Sequence, residues 1–312
     1  MTKDNTKSGT PKKQPKNKSA VRRLFIIAAI LIAIVIVTVT ATLIYNNVSF
    51  TSDSDFEKQL DRSIENALAW TESNKQTILT RKNIALIKML AEADRLHPTP
   101  LFSEIVDSFM STPSRPRCWK GLVDPDWNVD KVELNITIKK EYLDNKWVLY
   151  AIAPDKAEVD PKELGLFDAE KWQHRKLTHQ LDALLLLKRT KSEDTELDKL
   201  IEHLAGRLTT QLTTDIPVTD IYIQKATFIL RAGHPEKIRK RWIERIIENQ
   251  RADGGWDDRW FSFNSESKKP VFNSRGKETN QHATLQALTM LYLVKHRYPE
   301  NFLLADSQTD TP

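Results

Sequence analysis

The chain has 312 residues, 40% of them hydrophobic and 29% charged, which is enough to bury a sizeable core without disulfides or metals. Only eight glycines disfavour a turn-rich sandwich or barrel, and the single cysteine, Cys118, excludes an internal disulfide framework and a Cys-based zinc site. Charge is unevenly placed: residues 1–23 hold eight Lys and Arg against one acid, a net +7, and the remainder holds 39 basic and 41 acidic residues, a net −2. The body of the protein therefore lacks the basic excess that would point to a nucleic-acid partner.

In chain order, residues 1–23 read as a disordered basic tail, rich in Lys, Pro, Asn, Ser and Thr. Leu24 to Tyr45 then runs 22 residues without a charge, about 33 Å as a helix, close to the hydrocarbon thickness of a bilayer. A cleaved signal peptide ending at Val39-Thr40-Ala41 competes with this reading, but the apolar run continues through Leu43, Ile44 and Tyr45. An uncleaved signal anchor is favoured. The basic flank precedes the span and Asp53, Asp55 and Glu57 follow it, which puts the N-terminus in the cytoplasm and residues 46–300 outside, with 301–312 as a flexible tail.

The outer domain reads as mainly helical. Asp55–Thr71 places Phe56, Leu60, Ile64 and Leu68 on one face, and further helices are expected over Gln76–Arg95 and Leu101–Met110. A Pro-rich loop spans 111–128. Over 129–153, the alternating KVELNITIK, the turn residues Asp144-Asn145 and the apolar WVLYAIA predict an inserted β-hairpin. Helices resume over Trp172–Arg189, Glu196–Leu212, Asp220–Ala232, Glu236–Gln250 and Thr279–Arg297. The segment Gln180–Leu187 echoes Thr284–Leu291, with weaker copies at Asn83–Leu90 and Lys225–Leu230. Wholly apolar helices alternating with amphipathic ones suggest inner and outer layers of helical hairpins.

One segment carries a resemblance. Lys240-Arg241-Trp242 begins an aliphatic helix that leads through Gln250 into Gly254-Gly255-Trp256. This resembles the QW repeat of squalene–hopene cyclases and related α/α-toroid proteins. The resemblance implies that the helices after the transmembrane span form an incomplete α/α-toroid, into which the β-hairpin read above is inserted, and that Trp242, Gln250, Gly254, Gly255 and Trp256 form a structural brace. The cyclases' Asp-X-Asp-Asp run is absent, since Asp257-Asp258 lacks its first member, and no protein-prenyltransferase zinc set can be assembled around Cys118.

Candidate binding residues are few. Asp257, Asp258 and Trp260 crowd one loop with Asp253 and Arg259, where acids beside aromatics suit a glycan or cation, although a structural Trp also gathers such charges. Glu278 and His282 lie four apart, and His179 and Asp182 three apart, each pair on one helix face next to apolar stretches. If both pairs converge on one mouth, they form a site; otherwise each is a satisfied buried hydrogen bond. No cofactor or metal is implied. The chain reads as a bitopic cell-envelope protein whose helical domain binds a partner protein, lipid or glycan without catalysis. The alternative is a membrane-tethered toroid enzyme, a polysaccharide lyase or hydrolase or an isoprenoid-processing cyclase-like protein.

Overall fold

The structure, a computed structural model, describes residues 18–81, 83–112, 117–168, 174–257, 261–263, 270–272 and 279–303. The chain forms two compact units, up to Ile44 and from Tyr45 onward. Helix α1 (Lys18–Asn47) makes up the described part of the first and ends in the second. Among the described residues it is the one helix long and apolar enough to cross a membrane, by the length and composition of Phe25–Asn47. Its apolar side chains, Phe25, Leu31 and Ile36 among them, are exposed.

The second unit is mainly helical. Its helices are α2 (Asp53–Arg81), α3 (Ile84–Leu96), α4 (Pro100–Ser111), α5 (Lys120–Val123), α6 (Lys131–Lys140), α7 (Leu143–Ile152), α8 (His174–Thr190), α9 (Thr195–Thr214), α10 (Asp220–Arg231) and α11 (Lys240–Glu248). A short antiparallel ladder of β1 (Phe261–Phe263) and β2 (Pro270–Phe272) pairs Phe261 with Phe272. Helix α12 (Gln281–Tyr292) widens into a π turn over Leu293–Arg297, and α13 (Pro299–Phe302) follows.

Side-chain caps set many of these starts. Asn83, Thr99, Asp130, Asp194, Thr219 and Asn280 each accept a backbone N–H from the first turn they precede. Helix α2 runs to Arg81 and Asn83 caps α3, so α2 ends later than the sequence pattern suggests.

The β-hairpin expected over 129–153 is absent; α6 and α7 occupy it. The alternation of Val132, Leu134, Ile136 and Ile138 would put all four on one strand face. In α6, Leu134 and Ile138 are buried while Val132 and Ile136 are 68% and 49% exposed. Asp130 caps the helix, accepting from Glu133 N at 2.8 Å, and the Glu133 carboxylate in the first turn accepts from Arg117 N. Asn135 ties the far side down, donating to Lys156 O at 2.9 Å and accepting from Glu158 N at 2.7 Å. The β-prone WVLYAI forms α7 because burial on several faces overrides propensity: Trp147 to Ala151 are all buried, and Trp147 Nε1 donates to Leu164 O.

The core is built on α3, α8, α10 and α12. Helix α12 packs on α3 and α10, and α10 on α8. His282 meets Asp220 near the starts of α12 and α10, and Thr227 Oγ1 donates to Gln286 O further along, so these two helices run parallel. Leu96, Leu185, Arg231 and Leu293, late in or just after the four helices, line one cavity, which gives all four a common direction. The four sequence echoes fall on these helices. Helix α2 packs against α12, α4 against α3, and α9 against α8 and α10. Short links do the folding back: four residues, 191–194, separate α8 from α9.

Candidate functional site

At the amino-terminal end of α12, the segment after α11 makes a dense hydrogen-bonded joint. Gln250 Nε2 donates to Ser63 O and Gly254 O, both at 2.8 Å. Gly254 has φ +91°, and a Cβ there would lie 2.3 Å from Asn66 O on α2. At Gly255 a Cβ would meet Thr279 Cγ2 at 2.0 Å. Trp256 is fully buried; its backbone N–H donates to Thr284 Oγ1 and its Nε1 to Ile246 O at 2.7 Å. These contacts join α2, α11 and α12 through 17 consecutive residues, 240–256.

The same joint seats the last residues of α1, from Tyr45, and the chain that follows them. Trp242 Nε1 donates to Asn47 Oδ1 at 3.0 Å, and Arg241 Nε to Tyr45 O at 3.0 Å. Glu244, wholly buried, accepts from Ser49 Oγ and from Arg241. Lys240 pairs with Asp53 and donates to Thr51 O. A buried carboxylate survives here because each partner supplies a proton or a charge.

The residues singled out in the sequence part company. His282 Nδ1 lies 2.8 Å from Asp220 Oδ1 at the amino-terminal end of α10. Asp182 instead contacts Arg231, the last residue of α10, at 2.8 Å, and Lys88. Eleven residues of α10 separate those two points, about 16 Å along the helix axis. His179 is half-buried on α8, one turn ahead of Asp182. Asp257 is buried and pairs with Arg251 at 3.3 Å. Asp258, Arg259, Trp260 and Glu278 lie outside the described residues. The expected convergence of the two His–carboxylate pairs on one mouth is therefore not formed by His282 and Asp182. Beside the joint, Trp70, Asn74, Arg81, Asp253 and Gln281 border a polar groove of about 600 Å³.

Asp182 belongs to a buried ionic chain that the sequence reading missed. Lys88 and Arg231 hold it; Arg231 also reaches Glu92 at 2.7 Å, and Arg189 lies 3.6 Å from the same Glu92 oxygen. Burial works against the Asp182 charge, and Lys88 and Arg231 outweigh it, holding the carboxyl well below the usual carboxylate range. Burial and the neighbouring Arg231 push Lys88 down from its ordinary value. Burial also lowers Arg189; Glu92 offsets part of this, and Arg231 and Arg95 add to it.

This chain opens onto a cavity of about 430 Å³ at the carboxyl-terminal ends of α3, α8, α10 and α12. Its walls are basic and apolar: Arg95, Lys188, Arg189, Arg231 and Arg297 stand around Leu96, Leu185, Ile201, Ala232 and Leu293, with Glu92 and Asp198 as the lining carboxylates. No group of three or more His, Cys, Asp or Glu suited to a metal ion occurs among the described residues. The one sequence signal for this cavity was a basic residue in the last turn of α3, α8 and α10, which dipole complementarity explains equally well. In comparisons with known proteins, the chain matches no family model, no curated protein and no solved structure.

Proposed function

We propose that this is a single-pass cell-envelope protein, with its N-terminus in the cytoplasm and an extracytoplasmic, toroid-like helical domain that binds a small ligand without catalysis. The cavity at the carboxyl-terminal ends of the core helices carries this reading. It is within the usual size range of small-molecule pockets, and it sets five apolar side chains beside a ring of charged ones. The groups that might do acid–base chemistry are engaged elsewhere, Asp182 by two cations and His282 by Asp220. Of a partner protein, a lipid and a glycan, the last two fit a cavity of this volume better, because a protein needs a broad surface. Four parallel core helices with α2, α4 and α9 packed against them support a toroid-like arrangement, and the charge-free span with its basic flank supports the topology.

The test is native mass spectrometry of the full chain purified in neutral-detergent micelles, beside the Ala232→Trp variant. Ala232 lines the cavity, and an indole there fills it. A bound small molecule on the wild type that is absent from a folded variant is expected. Equal ligand occupancy in both would overturn the assignment of the cavity.

A further inference from the structure

Charge in the cavity wall is unbalanced in a way that selects a ligand. Lys188 is committed to Asp198, and Arg231 takes both Asp182 and Glu92. That leaves three guanidinium groups from three helical segments. Among the described residues the carboxylate that Arg189 reaches is Glu92, at 3.6 Å, and Arg231 already holds it at 2.7 Å. Arg95 donates to a backbone carbonyl, Val123 O, and has no carboxylate partner among the described residues. Arg297 lies over the Tyr298 ring at 5.3 Å, also without a carboxylate among the described residues.

We propose that this cavity binds an organic phosphate, with the phosphate held by Arg189, Arg297 and Arg95 and the organic part laid against Leu96, Leu185 and Leu293. The proposal rests on the reading of the cavity as the ligand site and adds the ligand's chemistry. Guanidinium groups match phosphate oxygens by paired N–H donors, and three separate forks suit a tetrahedral group with three outer oxygens better than a carboxylate with two. The lining carries five cations and two carboxylates among the described residues, so a dianion brings it close to neutral. Burial lowers the affinity of Arg189 for its proton, and Arg231 and Arg95 both add to that. Bare phosphate would leave the apolar wall in contact with water, whereas an ester covers it.

The experiment is calorimetric titration of the full chain in neutral-detergent micelles with n-butyl phosphate, n-butanol and n-butylammonium, repeated on R189Q/R297Q. Saturable binding of butyl phosphate alone is expected, weakened on the order of tenfold or more in the double variant, with an unchanged thermal midpoint. Should the Gln pair fail to fold, Arg189→Lys with Arg297→Lys keeps the charge and loses the forks; binding several-fold weaker than wild type then supports the proposal, and equal binding overturns it. Displacement of butyl phosphate by phosphatidate vesicles assigns a lipid source, and displacement by glucose 6-phosphate a soluble ester; either supports the site. Binding of butanol or butylammonium that the double variant retains overturns the phosphate and leaves the binding domain standing. No binding of any of the three overturns both. A lowered midpoint in R189Q/R297Q with undiminished butyl phosphate binding would mean that the arginines serve only the helix ends, and overturns the proposal.

Discussion

The two ends of the core helices α3, α8, α10 and α12 solve opposite problems. At the amino-terminal end of α12 the joint around Trp256 leaves no room: two glycines sit where a methyl group would strike Asn66 or Thr279, and one amide side chain bonds two backbone carbonyls. At the carboxyl-terminal end, charges are kept beside open volume, with more guanidinium groups than carboxylates to meet them. Polar groups at the first end are spent on backbone partners within the fold, so altering them should cost stability. Several at the second end are only partly spent, so altering them should cost binding.

The largest effect expected from breaking this contrast is at Trp256. Trp256→Ala removes a fully buried indole and its bond to Ile246 O, and should destabilise the domain by roughly 3–5 kcal/mol, read by denaturant unfolding of the full chain in micelles. Gly254→Val should also harm folding, because it combines a positive φ with a 2.3 Å approach to Asn66 O. A wild-type midpoint for either variant would remove the joint from the account.

Asp182→Asn probes the buried floor of the open end. It leaves Lys88 and Arg231 with less counter-charge and should cost ~3 kcal/mol, at the lower end for a broken buried pair because the amide oxygen still accepts hydrogen bonds. The sign with pH follows from the lowered carboxyl. Its stabilisation is complete above the ordinary carboxylate value near 4 and drains away as pH falls below it toward the folded-state value. Unfolding midpoints measured from pH 7 down to pH 3 should fall for the wild type and fall less for Asp182→Asn; identical slopes would show that folding does not lower the Asp182 carboxyl.

A smaller effect sharpens the description of residues 131–140. Ile138→Ala should cost about 2 kcal/mol or more, and Ile136→Ala less than about 1 kcal/mol, since the first side chain is buried in α6 and the second is half exposed. A hairpin would put both on one face and make the two costs similar. Equal losses in thermal unfolding would restore the strand reading.

These regions also differ in how far they were legible in the sequence. The apolar span declared itself by composition, and the joint by 17 contiguous residues whose glycines and tryptophans have local reasons. Most helices followed from apolar spacing. Residues 131–140 misled because Val132, Leu134, Ile136 and Ile138 satisfy a period of two while only alternate members are buried; the cap at Asp130 and the acid at Glu133 were the signal that outweighed it. The basic cavity was hidden because it draws Arg95, Arg189, Arg231 and Arg297 from separate helices, and each one alone looks like an ordinary cation at a helix end. His282 and Asp182 were singled out because ionisable groups on apolar helices need partners. Those partners, Asp220, Lys88 and Arg231, came from other helices, which spacing along one helix does not reveal.

Hydrogen–deuterium exchange of the full chain in micelles, with and without saturating n-butyl phosphate, tests the division of labour between the two ends most directly. Added protection should fall on the carboxyl-terminal turns, residues 93–97, 186–190, 229–233 and 293–297, and leave 250–256 and 281–285 unchanged. Protection centred on 250–256 and 281–285, or none anywhere at saturation, would contradict the account.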